Sequence, residues 1–397
     1  SSHELYNVGH MYEAAVAHFQ ATGKRNFLDV AIKNADLIDR TFGPGKRRDV
    51  PGHEEIEIGL TKLYRVTGDE KYLTLAKFFL DERGRAEGHE LYGIYAQDHI
   101  PVIQQDKAVG HSVRAGYLYS GMADVAALTG DPDYIHAIDR IWDDVVFKKF
   151  YLTGGIGARS GGEAFGEDYE LPNASAYNET CAAIANALWN YRLFLLHGDS
   201  KYIDVLERTL YNGFLSGVSL DGNTFFYPNP LEATDYERAP WFDCSCCPSN
   251  VVRFLPSIPG YVYAHRGDDI YVNLFMSGTG TIETPSRRIT ITQETRYPWD
   301  GEMLITVNPE KNQDEEEWTL HIRIPEWTQG KPLPSDLYSY LNPESDRITL
   351  YVNGFLTPLD PDRGYARVRR VWSKGDRISM KFPMPIRRVL CNEKVKE

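Results

Sequence analysis

Apolar residues recur at three-to-four spacing through the N-terminal half of the chain, a pattern typical of amphipathic α-helices packed on a core. Between successive helices the same turn is repeated, in which a glycine ends one helix and the next helix begins a few residues later. The four copies are ATGKRNF (21–27), VTGDEKYL (66–73), LTGDPDYI (128–135) and LHGDSKYI (196–203). The repeat predicts four helical hairpins, with turns at Gly23, Gly68, Gly130 and Gly198.

Three long segments interrupt the helical pattern: residues 85–109, 150–176 and 216–245, which are rich in glycine, proline, asparagine, aromatic and acidic residues. Repeated hairpins form either an open solenoid or a closed ring. Because long inserts in a compact domain are usually functional, we favour a closed helical toroid with the inserts gathered at one mouth. The abrupt first and last segments lead us to expect that both chain ends are truncated and that an N-terminal part of the ring is missing.

Beyond residue 262 the pattern changes to alternation of apolar and polar positions, which indicates β-strands with one buried face. The alternating segments are DIYVNLFM, RITITQET, EMLITVNP, WTLHIRIP, ITLYVNG, YARVRRVW and DRISMKF. Short turn sequences separate them, so an antiparallel β-sandwich is predicted. We place the boundary near Tyr263–Asp268, with a helical domain at 1–262 and a β-sandwich domain at 263–397.

Charge and composition narrow the possible partners. The formal net charge of −13 repels phosphate backbones, so nucleic acid is not an expected partner. No apolar run has the length of a membrane span, and none is expected. Aromatic residues make up 12% of the chain, which suits either stacking on sugar rings or aromatic-rich cores. The compartment stays open between cytoplasmic and exported, and a homodimer formed through β-strand edges is possible.

Three of the five cysteines lie within Cys244-Ser245-Cys246-Cys247. Adjacent cysteines cannot close a relaxed disulfide, so two interpretations remain: a pair of buried structural thiols, or a site for a soft metal such as zinc. A second half-site lies at Glu179 and Cys181, which can share a metal only if the backbone there is irregular or extended at a helix start. Together these segments offer the four ligands of a tetrahedral zinc: Glu179, Cys181, Cys246 and Cys247.

Several long segments resemble the β-L-arabinofuranosidases of glycoside hydrolase family 127 and close relatives. They are HELYNVGHMYEAAVAHFQATGKR, PGHEEIEIGLTKLYRVTGD, GHSVRAGYLYSGMADVAALTGD, GGIGARSGGEAFGEDYELPNASAYNETCAA and CSCCPSN, and the likeness runs over most of residues 1–390. The resemblance implies an (α/α)6 barrel as the catalytic domain, followed by a β-sandwich. It also implies zinc bound by one glutamate and three cysteines, and retaining hydrolysis through a cysteine nucleophile.

The resemblance assigns roles residue by residue. Cys246 matches the nucleophile and Glu163 the general acid/base, while Glu179, Cys181, Cys246 and Cys247 match the zinc ligands. The positions that match the sugar pocket are His3, His53, His111 and Tyr227. Without the resemblance, Glu163 could not be chosen over the other carboxylates of its loop, which are Glu167, Asp168 and Glu170.

Three functions are compatible with these residues. The first is a retaining exo-glycoside hydrolase that releases terminal β-L-arabinofuranose, or a similar pentofuranose, from plant-type glycans. The second keeps the toroid but makes it a sugar epimerase or polysaccharide lyase, reactions that have no need of a Cys-x-Cys-Cys cluster. The third is a carbohydrate-binding protein in which zinc and the cysteines are purely structural. A Cys246→Ser variant discriminates them, because a binding protein would still hold sugar whereas the hydrolase would lose turnover.

Overall fold

A computed structural model describes residues 3–310, 316–343 and 347–396. The α-helices of this part of the chain are α1 (Glu4–Thr22), α2 (Asn26–Thr41), α3 (Ile56–Thr67), α4 (Glu70–Glu82), α5 (Ser112–Thr129), α6 (Pro132–Lys148), α7 (Thr180–His197), α8 (Ser200–Arg208), α9 (Cys246–Phe254) and α10 (Pro259–Val262). Among the described residues, no helix combines the length and the apolar composition needed to cross a membrane.

The four predicted turns are present, and each joins two consecutive helices. Their glycines all adopt left-handed backbone angles, with φ between 69° and 73°, which favour glycine over any residue with a side chain. In the last three turns an aspartate follows the glycine and accepts a hydrogen bond from the backbone N–H two residues further on, capping the next helix. The capping residues are Asp69, Asp131 and Asp199. Local chemistry therefore accounts for both the end and the restart of these helices.

The chain divides into two compact units. The first, here called the helical unit, contains Ser1–Leu196, Arg208–Pro248 and Lys394–Glu397. Small residues let its helices approach closely: a Cβ atom on Gly9 of α1 would lie 2.7 Å from the backbone nitrogen of Ile56 at the start of α3. In the same way, a Cβ on Gly116 of α5 would lie 2.6 Å from the side chain of Ala185 on α7. Most of α5 and α7 is buried, which places both helices in the interior of this unit.

The second unit, here called the strand unit, contains His197–Glu207 and Ser249–Glu393. Its strands are β1 (Tyr263–Arg266), β2 (Asp269–Val272), β3 (Gly278–Glu283), β4 (Arg288–Thr295), β5 (Glu302–Pro309), β6 (Trp318–Arg323), β7 (Tyr338–Tyr340), β8 (Thr349–Val352), β9 (Phe355–Leu356), β10 (Pro361–Asp362), β11 (Tyr365–Arg370), β12 (Asp376–Lys381) and β13 (Val389–Cys391). One sheet has the order β1-β2-β6-β11-β10, a second β3-β4-β5-β12-β8-β9, and β13 pairs with β7.

Each of the seven alternating segments contains a strand, and one hydrophobic core joins residues from the two larger sheets. The pairing is antiparallel except between β2 and β6, which run parallel. A purely antiparallel sandwich was expected, and this pair departs from it. Parallel strands need a connection longer than a hairpin, and β3, β4 and β5 lie between β2 and β6 in the chain. The order of a helix-rich region followed by antiparallel-rich sheets confirms the predicted fold class.

A buried arginine fastens α8 to the first sheet within the strand unit. Arg323, at the end of β6, donates from Nη1 to Asp204 at 2.6 Å and from Nη2 to Glu207, both on α8. Its Nε donates to the backbone oxygen of Asn273 at 2.6 Å. Every nitrogen of this fully buried guanidinium is thus engaged, which is the condition under which a buried ion pair is tolerated.

Candidate active site

A tight loop carries Glu163 to the start of α5. Backbone hydrogen bonds between Arg159 and Ala164, both 3.0 Å long, close the loop, and Ser112 Oγ donates to the backbone oxygen of Glu163 at 3.1 Å. Glu163 itself has φ of 52°, an uncommon left-handed conformation for a residue with a side chain. Such backbone geometry persists only where the surroundings hold it, and it is frequent at functional sites.

Two neighbours hold the carboxylate of Glu163. His111 Nε2 lies 2.6 Å from Oε2, and the Tyr177 hydroxyl donates to Oε1 at 2.7 Å. The His111 bond, followed by that of Tyr177, holds the pKa of Glu163 below its usual value, although partial burial and the nearby Cys246 act in the opposite direction. Glu163 retains 29% of its side-chain exposure, so a ligand can still reach this carboxylate.

The tautomer of His111 follows from its place at the start of α5. Its Nδ1 accepts a hydrogen bond from the backbone N–H of Val113 at 3.2 Å, so this nitrogen carries no proton. The proton of the neutral ring is then on Nε2, which donates it to Glu163. His111 therefore caps α5 through Nδ1 and positions the Glu163 carboxylate through Nε2.

The other carboxylates of the loop are engaged elsewhere. Glu167 is 84% exposed and pairs with Arg159, and the same arginine binds Glu170. Asp168 pairs with lysines, namely Lys107, Lys148 and Lys149. Within the described residues, Glu163 is the carboxylate of this loop that contacts His111, so the geometry favours it as the reactive one.

Glu179, Cys181, Cys246 and Cys247 come together, with one donor atom from each lying within 4.8 Å of the others. The Sγ atoms of Cys181 and Cys247 are 3.4 Å apart, and those of Cys246 and Cys247 are 4.0 Å apart. Glu179 Oε1 lies 3.6 Å from the sulfur of Cys246 and 3.7 Å from that of Cys247. These four residues are here called the sulfur cluster. They form a donor set that could hold a metal ion.

Two helix starts bring the sulfur cluster together. Cys246 and Cys247 begin α9, and Cys181 is the second residue of α7. Glu179 immediately precedes α7, and Asn178 before it has φ of 44°, so the backbone is irregular there and Glu179 can share a centre with Cys181. The first turn of a helix also favours negative charge on its side chains, including thiolates.

The electrostatic environment of the sulfur cluster favours the binding of a cation. Burial raises the pKa of the Glu179 carboxyl and of the Cys181 and Cys247 thiols well above their usual values. Hydrogen bonds from Cys181 and then Cys247 lower the pKa of Cys246 below its usual value, although burial acts in the opposite direction. The second carboxylate oxygen of Glu179 is buried without a hydrogen-bond partner, and a positive ion would satisfy it.

The remaining predicted site residues lie near these groups. The ring of His53 is buried, 5.9 Å from that of His111 and 5.5 Å from that of His3, whose own side chain is exposed. Tyr227 lies near Cys246, and its hydroxyl helps to lower the pKa of that thiol. Glu163 also connects His111 to the sulfur cluster, because donor atoms of His111, Glu163 and Glu179 lie within 4.8 Å of one another.

Two tyrosines beside the predicted site residues were not themselves predicted from the sequence. Tyr6, on the first turns of α1, has its ring 4.2 Å from that of His53. Tyr177 binds Glu163, as described above, and precedes Glu179 by two residues. No sequence signal indicated Tyr177, because the left-handed Asn178 between it and Glu179 breaks the alternation that an extended segment would give.

The chain belongs to glycoside hydrolase family 127. The model of the family's β-L-arabinofuranosidase catalytic domain matches residues 1–260, and that of its middle domain matches residues 269–384. The predicted resemblance is thereby confirmed.

Individual relatives agree with this assignment. A non-reducing end β-L-arabinofuranosidase of Bifidobacterium longum subsp. longum is 35% identical over an alignment that covers 100% of this chain and 62% of the relative. A solved GH127 β-arabinofuranosidase is 56% identical, with a TM-score of 0.94 over 99% of this chain and 62% of the other. A GH127 β-L-arabinofuranosidase from Geobacillus stearothermophilus T6 is 41% identical, with a TM-score of 0.90 over 99% of this chain and 64% of the other. The chain thus spans a little under two thirds of their length.

Proposed function

We propose that this protein is a retaining exo-glycoside hydrolase that releases terminal β-L-arabinofuranose, or a similar pentofuranose, from plant-type glycans. Family membership and the names of its relatives support the reaction and the sugar. The observation that carries the proposal is the placement of Glu163, held by His111 and Tyr177, beside the sulfur cluster. Such an arrangement offers a nucleophile and an acid/base to one glycosidic bond. The catalytic domain is proposed to occupy residues 1–262.

Zinc is the proposed ion of the sulfur cluster. Tetrahedral donors at zinc bond lengths lie about 3.3–3.8 Å apart. Four donor–donor separations in the sulfur cluster, 3.4, 3.6, 3.7 and 4.0 Å, agree with this to within a few tenths of an ångström. Three sulfurs and one carboxylate are also a donor set that zinc accepts readily. When bound, zinc would offset part of the negative charge of the cluster and keep its thiols deprotonated.

In the first step, the Cys246 sulfur forms a bond to the anomeric carbon while the bond from that carbon to the leaving oxygen breaks. Glu163 gives its proton to the leaving oxygen, so no free alkoxide is released. In the second step, Glu163 takes a proton from water as the water oxygen attacks the same carbon and the carbon–sulfur bond breaks. Two inversions leave the configuration retained. His111 and Tyr177 hold the Glu163 carboxylate throughout, and His3, His53 and Tyr227 line the sugar pocket.

The test is hydrolysis of nitrophenyl glycosides, including the β-L-arabinofuranoside, with and without added zinc and reductant. We expect arabinose release from the parent protein, and a loss of at least about 10⁴-fold in kcat for Cys246→Ser, because the hydroxyl is a far weaker nucleophile than a thiolate. Cys391→Ser is the matched control, since this exposed cysteine lies in the strand unit, and it should retain full activity.

Other outcomes identify the alternatives. A parent protein that binds arabinofuranosides without cleaving them would be a carbohydrate-binding protein. An epimerised or unsaturated product would indicate the epimerase or lyase. Full hydrolysis by Cys246→Ser would remove this cysteine from the reaction.

A further inference from the structure

Tyr95 lies directly against the segment that carries Glu163. It belongs to the insert between α4 and α5, and its ring centroid is 5.5 Å from that of His111, the partner of the Glu163 carboxylate. On the other side, a Cβ atom placed on Gly162 would lie 3.7 Å from a ring carbon of Tyr95. Although it is packed at these two points, Tyr95 remains 45% exposed. An aromatic surface thus faces solvent next to the proposed acid/base.

The backbone of Tyr95 is held firmly in place. Its carbonyl oxygen accepts from the backbone N–H of His111 at 3.1 Å and from Gln97 Nε2 at 3.4 Å. Gln97 is fully buried and also donates to Val109 O at 2.7 Å, which ties the middle of the insert to its C-terminal end. Gly110 lets the two parts of the insert approach closely, because a side chain there would clash with the backbone oxygen of Ile94.

The ring of Tyr95 is also supported. The guanidinium of Arg114 lies 4.8 Å from the ring centroid, and Arg114 is only 5% exposed. The cation therefore backs the ring from inside the helical unit, and the exposed area is the remaining surface of the ring. A rigid aromatic surface loses little conformational entropy when a ligand packs on it.

We propose that Tyr95 binds the leaving-group sugar of the substrate by stacking against its ring. The inference rests on the proposed function, in which Glu163 protonates the oxygen that joins the terminal sugar to the leaving group. The group on the far side of that oxygen must lie beside Glu163, in line with and opposite to the attacking sulfur. Tyr95 offers an apolar, partly exposed surface beside His111, the partner of Glu163, and the C–H face of a sugar ring is the matching partner.

The experiment compares two substrates that share the bond but differ in the leaving group. One is a disaccharide with a terminal β-L-arabinofuranose, and the other is methyl β-L-arabinofuranoside, which has no second ring. For Tyr95→Ala we expect kcat/KM on the disaccharide to fall about tenfold, because the remote contact contributes to the transition state, and on the methyl glycoside to stay within about twofold. Tyr95→Phe keeps the ring and should behave as the parent on both.

Tyr92→Ala is the matched control. Tyr92 lies in the same insert and is similarly exposed, at 48%, but its hydroxyl bonds to Asp49 at 3.3 Å. We expect no change in the ratio of the two kcat/KM values for this variant. Thermal unfolding of every variant checks that the insert and the helical unit remain folded.

The outcomes separate the two proposals. A parent protein that cleaves neither glycoside removes the proposed function and the role of Tyr95 with it. If the parent cleaves both, and Tyr95→Ala lowers both rates alike or changes neither, the leaving-group contact is wrong while the hydrolase stands. A selective loss on the disaccharide, rescued by Tyr95→Phe, supports the contact.

Discussion

Two buried groups of acidic side chains are stabilised in opposite ways. In the strand unit, Asp204 and Glu207 face Arg323, whose positive charge is part of the chain. Burial raises the pKa of Asp204 to about 7 and the arginine opposes this rise. In the helical unit, Glu179 faces thiols, and in the part of the chain that the structure describes it has no lysine or arginine partner. The first group is paired with a cation of the chain itself, whereas the second belongs to a donor set that could hold a metal ion.

The difference distinguishes a structural cluster from a functional one. An arginine is always protonated, so the Arg323 cluster is complete as soon as the chain folds. The sulfur cluster has donors that can change protonation, and one of its members is the proposed nucleophile.

The largest expected effect comes from replacing Arg323, the cation that pairs with Asp204 and Glu207. Arg323→Met should lower the free energy of unfolding by about 3–5 kcal/mol, because two carboxylates stay buried without a positive partner. Urea unfolding followed by circular dichroism measures the change. Arg367→Met is the control, since this partly exposed arginine pairs with Asp360 and should cost at most about 1 kcal/mol. Equal losses in the two variants would contradict the contrast drawn between the clusters.

Metal removal tests the sulfur cluster. Prolonged chelation should lower hydrolysis of an arabinofuranoside at least about 100-fold, and added zinc should restore it, because the cluster loses the charge that holds its donors together. Metal content measured in parallel should follow activity at one ion per chain. Magnesium serves as the control ion and should restore nothing. Full activity in protein shown to be free of metal would remove zinc from the site.

A smaller effect is expected from removing one of the hydrogen bonds that stabilise the Glu163 carboxylate. Tyr177→Phe removes a donor that lowers the pKa of Glu163, so that pKa should rise. The first step needs protonated Glu163, and kcat/KM reports the free enzyme, so its basic limb should move to higher pH. The loss of one charged hydrogen bond should also lower kcat about tenfold.

A matched tyrosine in the same loop is the control for that shift. Tyr169→Phe removes a hydroxyl whose contact is Lys394, at 3.4 Å, and should leave the pH profile unchanged. A Tyr177→Phe profile that does not move, or that moves to lower pH, would contradict the part assigned to this hydrogen bond.

The helical hairpins could be predicted because their turns are decided locally. A left-handed glycine followed by a capping aspartate acts within a few residues, as at Gly130 and Asp131. Two other features could not be predicted, because both join segments that are distant in sequence. They are the parallel pairing of β2 with β6 and the ion pairs between Arg323 and α8. Alternation of side chains indicates a strand but not its neighbour.

The candidate site was predictable to the extent that residue type is informative. Adjacent cysteines cannot close a relaxed disulfide, so Cys246 and Cys247 left two interpretations, buried structural thiols or a soft-metal site, and Glu179 with Cys181 added the second half of a metal site. The surroundings of Glu163 were not predictable, since Glu167 and Glu170 have the same chemistry in the same loop. Only the fold decides which of them meets His111. With 25 tyrosines in the chain, nothing in the sequence distinguishes Tyr95 or Tyr177 from those of the core.

The short glycine turns have a consequence for how such a protein can change over generations. Because each hairpin ends and restarts by its own chemistry, the lengths of the inserts at 85–109 and 150–176 are not constrained by the helices. The sulfur cluster is fixed by the starts of α7 and α9, while Tyr95 belongs to an insert. Descendants can therefore vary the insert that carries Tyr95, while the starts of α7 and α9 keep the donor atoms of the sulfur cluster together.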